Sequence, residues 1–226
     1  MHFRRVGLWA ACLLAIATSA ACAGIPFEPI SYPPVDELDP AAVRLEFSRS
    51  LPNKLVVFNS IVIRYRFHTI TALGFTRADA NDGTFAVVGL MPTGMKLFEI
   101  TGTRDSYETL FVQEELLEQG DLPEAVATDI RRIYLDLVPA SNSTVTKKAD
   151  RIVFSEPADG GRVDYVFAGP DGLLVEKHFY EGDQRISTIS YHEYRRVGGE
   201  LYAGGIVLRH HEYRYQLIIR LREVRS

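Results

Sequence analysis

The chain has 226 residues, 46% of them hydrophobic and 24% charged, which is typical of one globular domain with a substantial core and excludes a disordered or collagen-like chain. Its formal charge of −4 becomes about −6 once the first 21 residues, which include Arg4 and Arg5, are removed. Because phosphate binding needs clustered Lys and Arg, we expect no nucleic-acid partner.

Both cysteines, Cys12 and Cys22, lie within the first 22 residues. No residue after Cys22 can therefore form a disulfide or a thiolate metal site, or act as a cysteine nucleophile. The domain must be held together by packing alone.

The amino terminus has the pattern of an export signal. Arg4 and Arg5 precede an apolar stretch at residues 6–16, which is too short to span roughly 30 Å of hydrocarbon as a helix. We therefore predict a signal peptide at residues 1–21.

The residues Thr18-Ser19-Ala20-Ala21-Cys22 resemble a bacterial lipobox, although Ser19 stands where an aliphatic residue is usual. The resemblance implies lipid attachment at Cys22, and Ala23, in place of an Asp retention signal, favours the outer membrane with the domain facing the periplasm. The alternative is ordinary cleavage after Ala21 or Ala23, which would leave a secreted or periplasmic protein.

Residues 22–52 are rich in proline and show no sustained hydrophobic period, so we expect a lipid-anchored tether, with a possible short helix at residues 40–50. A domain at residues 53–226 follows.

The first part of this domain predicts β-structure. Residues 54–73 are dense in β-branched and aromatic side chains, and residues 84–90 and 95–101 predict a strand pair, with turns at residues 81–83 and 92–94. Residues 105–119 fit a short helix, or a strand end at Leu110–Val112.

The clearest predicted helix spans residues 121–138. Asp121 and Glu124 form a capping box, Pro123 lies in the first turn, and Pro139 ends the helix. One apolar stripe runs along it, formed by Val126, Ile130, Ile133, Tyr134 and Leu137. We expect this helix to cover the sheet as a lid.

The last third predicts a meander of six strands, at residues 151–155, 162–168, 172–180, 184–197, 201–211 and 212–224. Long, consecutive antiparallel strands with one apolar face tend to curl. The fold class expected is therefore α+β, a curved antiparallel sheet forming an incomplete barrel with covering α-helices.

No sequence motif indicates catalysis, a cofactor or a metal. A phosphate-binding loop, a dinucleotide fingerprint and a Gly-x-Ser-x-Gly elbow are all absent. The acids Asp164, Glu176 and Glu193 fit a solvated sheet face. The histidines that follow the predicted signal are interpreted as exposed or hydrogen-bonded, and convergence of some of them on a metal is the alternative: His68, His178, His192, His210 and His211.

The apolar side chains of the curved sheet either fill a core or line a lipid-sized cavity, and the sequence leaves both open. The candidates for its concave face are Phe85, Val87, Tyr165, Phe167, Val175, Phe179, Ile189, Tyr191, Leu208, Tyr215, Leu217 and Ile219.

Residues 83–100, the helix at 122–139 and the endings at 191–194, 201–208 and 217–221 resemble the LolA/LolB type of bacterial lipoprotein carrier and receptor. The resemblance implies a half-barrel whose hydrophobic cavity binds a lipid, an acyl chain or an acylated protein, for transport or envelope assembly without bond chemistry. LolB also exposes an apolar membrane-inserting loop, for which Gly89–Pro92 is the nearest counterpart. The alternative function is an accessory envelope lipoprotein that uses the same fold to dock a protein partner.

Overall fold

The computed structural model describes residues 24–225 apart from residues 31, 36, 118–120 and 159. The predicted signal peptide and Cys22 lie outside the described residues. The strands are β1 (Lys54–Tyr65), β2 (His68–Asp79), β3 (Thr84–Leu90), β4 (Lys96–Gly102), β5 (Tyr107–Val112), β6 (Thr144–Lys147), β7 (Arg151–Ala158), β8 (Gly161–Ala168), β9 (Leu173–Glu181), β10 (Gln184–Val197), β11 (Glu200–His210) and β12 (Tyr215–Val224).

These twelve strands form one antiparallel sheet in the order β5-β4-β3-β2-β1-β12-β11-β10-β9-β8-β7-β6. Two meanders are thus joined where β1 pairs with β12, for example Ile61 with Ile219. The curved sheet is not closed, because β5 and β6 remain at its two edges. The predicted fold class is confirmed.

Local sequence explains the turns between the strands. The Asp79 carboxylate accepts hydrogen bonds from the backbone N–H groups of Asn81 (3.0 Å) and Asp82 (3.2 Å). Gly83 follows with a φ of 64°, which glycine adopts at little cost. This turn aligns β2 with β3.

The helices are α1 (Pro40–Ser50), α2 (Glu114–Leu117) and α3 (Leu122–Ile130). The side chain of Asp39 caps α1 by accepting from the Ala42 N–H, and that of Asp121 caps α3 by accepting from the Glu124 N–H. In the part of the chain that the structure describes, none of them is long and apolar enough to cross a membrane.

The predicted helix at residues 121–138 differs in its second half. The α-helix ends at Ile130 and continues as a π-helical turn, Arg131–Leu135, in which the Asp136 N–H donates to the Arg131 carbonyl at 3.1 Å. Single π turns are frequent at functional sites. This wider turn changes the direction in which Ile133 and Tyr134 point relative to a regular α-helix.

Two clusters of buried side chains lie between the inner face of the sheet and the helices. The larger lies mainly under β7–β12 and includes Val43 and Phe47 of α1, with Phe47 edge-on to Phe167. The smaller lies under β2–β4 and includes Ala127 and Ile130 of α3. The helices thus cover both halves of the sheet.

Several described residues of the segment predicted as a tether pack against the domain, beginning at Ile25. Phe27 packs on the outer face of the sheet over Gly205, where a Cβ would lie 2.3 Å from its ring. Ile30 and Tyr32 pack against Val166 on the same face. The proline-rich sequence shows no hydrophobic period, but Phe27 is buried and Ile30 and Tyr32 are partly buried on this face.

Candidate functional site: a cavity under the π-helical turn

A cavity of about 530 Å³ lies between the inner face of the sheet and residues 133–138. Its volume is within the range of ordinary small-molecule sites. Apolar side chains from both halves of the sheet and from the π-helical turn form most of its walls. They are Leu55, Val57, Ala78, Ile133, Leu135, Leu137, Val163, Phe179, Leu201, Ala203, Ile206, Ile219 and Leu221.

Five tyrosines also line the cavity, and three of them form hydrogen bonds through their hydroxyl groups. The Tyr194 hydroxyl donates to the Leu174 carbonyl at 2.8 Å, and the Tyr191 hydroxyl donates to the Ile133 carbonyl at 3.3 Å. The Tyr134 hydroxyl accepts from Asn59 Nδ2 at 3.1 Å. Burial raises the pKa of all three phenols, so they stay protonated.

Lys177 is the one cation among the cavity-lining residues whose side chain is fully buried. Its Nζ donates to the Arg132 carbonyl at 2.9 Å and to the Asp136 carbonyl, which are backbone groups of the π-helical turn and its end. The rings of Tyr165 and Phe179 lie 4.8 and 5.2 Å from Nζ. Burial lowers the Lys177 pKa to about 7. Lys177 therefore fixes the turn over the cavity.

A second buried polar pair holds α3 to the sheet. The Tyr215 hydroxyl of β12 donates to Asp129 Oδ2 at 2.9 Å. Burial raises the Asp129 pKa to about 7, because the carboxylate is removed from water. The pair positions the cover against the last strand.

The mouth of the cavity is polar and exposed. Arg104 forms an ion pair with Asp136 there, and Glu156 accepts from the Ala140 N–H at 2.7 Å and from the Tyr165 hydroxyl at 2.9 Å. Exposed residues such as Asn81 complete the rim. An amphipathic ligand placed here would have its apolar part inside and its polar part at the rim.

The predicted concave-face residues fall into several groups. Tyr165, Phe179, Tyr191 and Ile219 line the cavity, as do Ile133, Tyr134 and Leu137 of the predicted lid. The other residues of the larger cluster lie behind the wall or against it: Phe167, Ile189, Leu208, Tyr215 and Leu217.

The remaining predicted residues lie elsewhere. Phe85, Val87, Val126 and Ile130 belong to the smaller cluster. Val175 packs on the outer face, because the register between β8 and β9 shifts at Val166/Phe167 and the extra residue turns outward.

Four of the histidines each contact a different partner. His178 bonds to Glu176 at 2.9 Å, and His192 stacks on Phe27 with 5.2 Å between ring centroids. His210 stacks on Tyr215, and the His211 ring bonds to Thr188 at 3.0 Å. Within the described residues, no group of three His, Cys, Asp or Glu side chains is placed to hold a metal ion.

Sequence reasoning missed Lys177, Asn59, Tyr194 and Glu156 as wall or rim residues. A signal for Lys177 is present, since the alternation along β9 places it at an inward position two residues before Phe179. A lysine at such a position points to a buried polar contact.

The family model described as "Protein of unknown function (DUF3261)" matches residues 73–223, about two-thirds of the chain. The chain belongs to the DUF3261 family. The match includes the strands from β3 to β11, all but the last residue of β12, and the π-helical turn. This DUF3261 member therefore carries most of its cavity within the family region. No curated protein matches the chain.

Solved structures share the fold of this DUF3261 protein at low sequence identity. A domain from Vibrio parahaemolyticus, provisionally described as an outer membrane lipoprotein-sorting protein, has a TM-score of 0.55 and 10% identity, covering 81% of this chain and 90% of that one. A LolA superfamily protein from Nitrosomonas europaea has a TM-score of 0.53 and 8% identity over 83% and 93% of the two chains. A DUF1329 family protein from Desulfovibrio piger has a TM-score of 0.54 and 8% identity over 82% and 90%. The predicted LolA-like fold is confirmed.

Proposed function

We propose that this DUF3261 protein binds an acyl chain, as a lipid or as part of an acylated protein, in the cavity under the π-helical turn. The observation that carries the proposal is the cavity itself, with apolar walls and a polar rim. Burying an acyl chain contributes about 0.8 kcal/mol per CH₂, so even a partly inserted chain gives useful affinity. A fold shared with a LolA superfamily protein is in keeping with such a site.

The polar side chains of the wall have a structural task in this proposal. Tyr191, Tyr194 and Lys177 each donate to a backbone carbonyl, so their hydrogen bonds hold the wall. We propose that the protein carries its ligand in transport or envelope assembly and breaks no bond.

Occupancy of the cavity is tested by native and denaturing mass spectrometry of the Cys22→Ser chain purified from a bacterial periplasm. We expect one co-purified lipid or fatty acid per chain, released on denaturation and identified after extraction. A bare mass that stays unchanged after incubation with phospholipid and with a lipopeptide would exclude the acyl-binding function.

The location proposed is the periplasmic side of the outer membrane, with a signal at residues 1–21, a lipid on Cys22 and the half-barrel domain at residues 53–226. Several acyl chains on one residue hold a protein far more firmly than one. We expect the wild-type chain in the outer-membrane fraction and the Cys22→Ser chain in the soluble periplasmic fraction. Mass spectrometry of the amino-terminal peptide should show a thioether-linked diacylglycerol, and an unmodified Cys22 in membrane-bound protein would contradict the anchor.

The second candidate function is docking of an envelope protein, and one observation favours it. The edge strand β5 leaves Leu110 and Phe111 exposed, and among the described residues its one strand partner is β4. Exposed edges accept an added strand. Capture of a partner that survives blocking of the cavity but not Leu110→Lys would support docking over acyl binding.

A further inference from the structure

Two turns lie side by side at one end of the sheet. The first is Arg66-Phe67 between β1 and β2, and the second is residues 211–214 between β11 and β12. They are neighbours because Tyr65 pairs with Tyr215 where β1 meets β12. We call this region the hairpin-end surface and define it by these turns together with Arg64, Arg209, His210 and Gln216, which surround a shallow depression of about 450 Å³.

The hairpin-end surface is basic in a chain whose net charge is −4. Four arginines line the depression: Arg64, Arg66, Arg209 and Arg214. Among the described residues, Arg66, Arg209 and Arg214 form no ion pair with a carboxylate. Glu212 is the one acid in the two turns, while Glu181 and Asp183 lie at the neighbouring turn after β9. Four positive charges around one depression fit several anionic groups at once.

Two of these arginines occupy strained backbone positions. Arg66 and Arg214 both have a φ of 53°, in the left-handed region where a turn normally carries glycine. Glycine at either position would adopt this backbone conformation with less strain, so arginine gives the turn itself no advantage. Strained residues concentrate at functional sites, which indicates a use for these two side chains.

The same surface carries exposed aromatic rings. Phe67 is completely exposed at the tip of its turn, and 62% of Tyr213 is exposed in the adjacent turn. Aromatic side chains beside cations are suited to the interface between lipid headgroups and acyl chains. A fully exposed phenylalanine is otherwise unfavourable in water.

The beginning of the described chain lies next to this surface. Ile25 packs on the outer face with Val62 and Ile218. Arg64 and Gln216 lie two residues further along the same strands, about 7 Å towards the turns. Cys22 is three residues before Ile25, a span of at most about 10 Å. The hairpin-end surface is therefore within reach of a lipid anchor attached three residues before Ile25.

We propose that the hairpin-end surface docks on the phosphate headgroups of the anchoring membrane, with Phe67 inserted at headgroup level. Docking would hold the half-barrel in one orientation on that membrane. The orientation argument rests on the Cys22 anchor of the proposed function, whereas the charge, strain and exposure of the surface do not.

The test uses the Cys22→Ser chain, which has no anchor of its own, in co-sedimentation with vesicles. We expect binding to vesicles of phosphatidylcholine containing phosphatidylglycerol and weaker binding to phosphatidylcholine alone. The difference should disappear at 1 M salt, where the Debye length is about 3 Å and the attraction between arginines and lipid phosphates is screened. Failure to bind the anionic vesicles at 0.1 M salt would overturn the proposal.

The decisive variant is Arg66→Gly/Arg214→Gly, because glycine suits both backbone positions. Each arginine near an anionic surface contributes about a fivefold change in partitioning, so the double variant should bind about 25-fold more weakly. Its melting temperature should stay the same or rise, which excludes unfolding as the cause. Arg49→Gln/Arg196→Gln removes the same charge from exposed positions elsewhere and should bind like the parent. Equal losses in the two double variants would overturn the proposal.

The aromatic part is tested by Phe67→Ser, which should weaken binding about tenfold because the ring no longer enters the interface. Met95→Ser, a half-exposed apolar residue in the turn between β3 and β4, is the matched control. A loss in Met95→Ser but not in Phe67→Ser would show that the other turn meets the membrane.

Mass spectrometry on the same samples separates the two proposals. A chain that keeps its ligand but does not bind vesicles overturns membrane docking alone. A chain that binds vesicles but holds no ligand overturns acyl binding alone.

Discussion

The Ala203→Trp variant is expected to purify without its ligand. Ala203 lies on β11 opposite Tyr194, faces the cavity and is only partly buried, so an indole placed there projects into open space. The indole would enter the cavity of about 530 Å³ and cover on the order of 200 Å² of the surface that an acyl chain would otherwise contact. We expect the amount of co-purified lipid to fall at least tenfold in native mass spectra.

The matched control is Ala86→Trp. Ala86 is also partly exposed but lies on the opposite face of β3 from the buried Phe85 and Val87. It should keep full occupancy and a melting temperature close to that of Ala203→Trp. Undiminished lipid in Ala203→Trp would mean that the ligand binds outside this cavity, and the acyl-binding function would then lose its structural basis.

The local pattern of the sequence was sufficient to predict most of the sheet. Residues 84–90 alternate between buried and partly exposed positions and sit between two turns, and the strand β3 has those bounds. The predicted strand at 184–197 likewise matches β10. Antiparallel neighbours joined by short turns leave few alternative topologies, so elements predicted one at a time gave the right fold class.

Prediction failed where a strand or helix depends on distant contacts. The strand β6 has four exposed residues and no hydrophobic alternation, and it exists because it pairs with β7. Residues 54–73 form one continuous run of strand-forming side chains in the sequence. The chain nevertheless turns at Arg66-Phe67, where no glycine or proline marks the turn. The long predicted helix ends in a π-helical turn, where the Arg132 and Asp136 carbonyls accept hydrogen bonds from Lys177, 45 and 41 residues further along the chain. Contacts at that distance leave no local signal in the sequence.

The cavity was only half predictable for the same reason. Its walls are formed by residues of β1, β2, β8 and β12. These strands meet because β1 pairs with β12, the last strand of the chain, and that long-range pairing is set by tertiary packing. Alternation identified inward residues such as Phe179 and Ile219. It could not distinguish residues that fill the core, such as Phe167 and Ile189, from those that border open space, because both kinds are apolar and inward.

The stability of the protein is expected to rise between pH 7 and about 10, and Lys177 is the cause. Burial lowers its pKa to about 7 in the folded protein, against an ordinary 10.5. Between these values the unfolded chain holds a proton on Lys177 that the folded chain lacks. The free energy of unfolding therefore increases by about 1.4 kcal/mol per pH unit across that window and is lowest below it.

The Lys177→Met variant removes this slope while keeping most of the side-chain volume. At pH 9.5 it should be clearly less stable than the wild type, because the neutral amine still donates to the carbonyls of Arg132 and Asp136 and methionine cannot. A buried carbonyl left without a partner costs about 1–3 kcal/mol. Urea unfolding should show the wild-type advantage shrinking by about 2–3 kcal/mol from pH 9.5 to pH 7.5.

Lys148→Met makes the same chemical change at an exposed position and should keep a constant difference from the wild type at both pH values. If the Lys177→Met difference is equally constant, Lys177 is charged in the folded protein across this range, and the cation then lies inside the cavity wall at neutral pH. If the Lys177→Met difference varies with pH as expected, the Lys177 amine is largely neutral above pH 7. Neutral hydrogen bonds then hold the π-helical turn over the cavity, and these bonds persist when an acyl chain displaces water from the site.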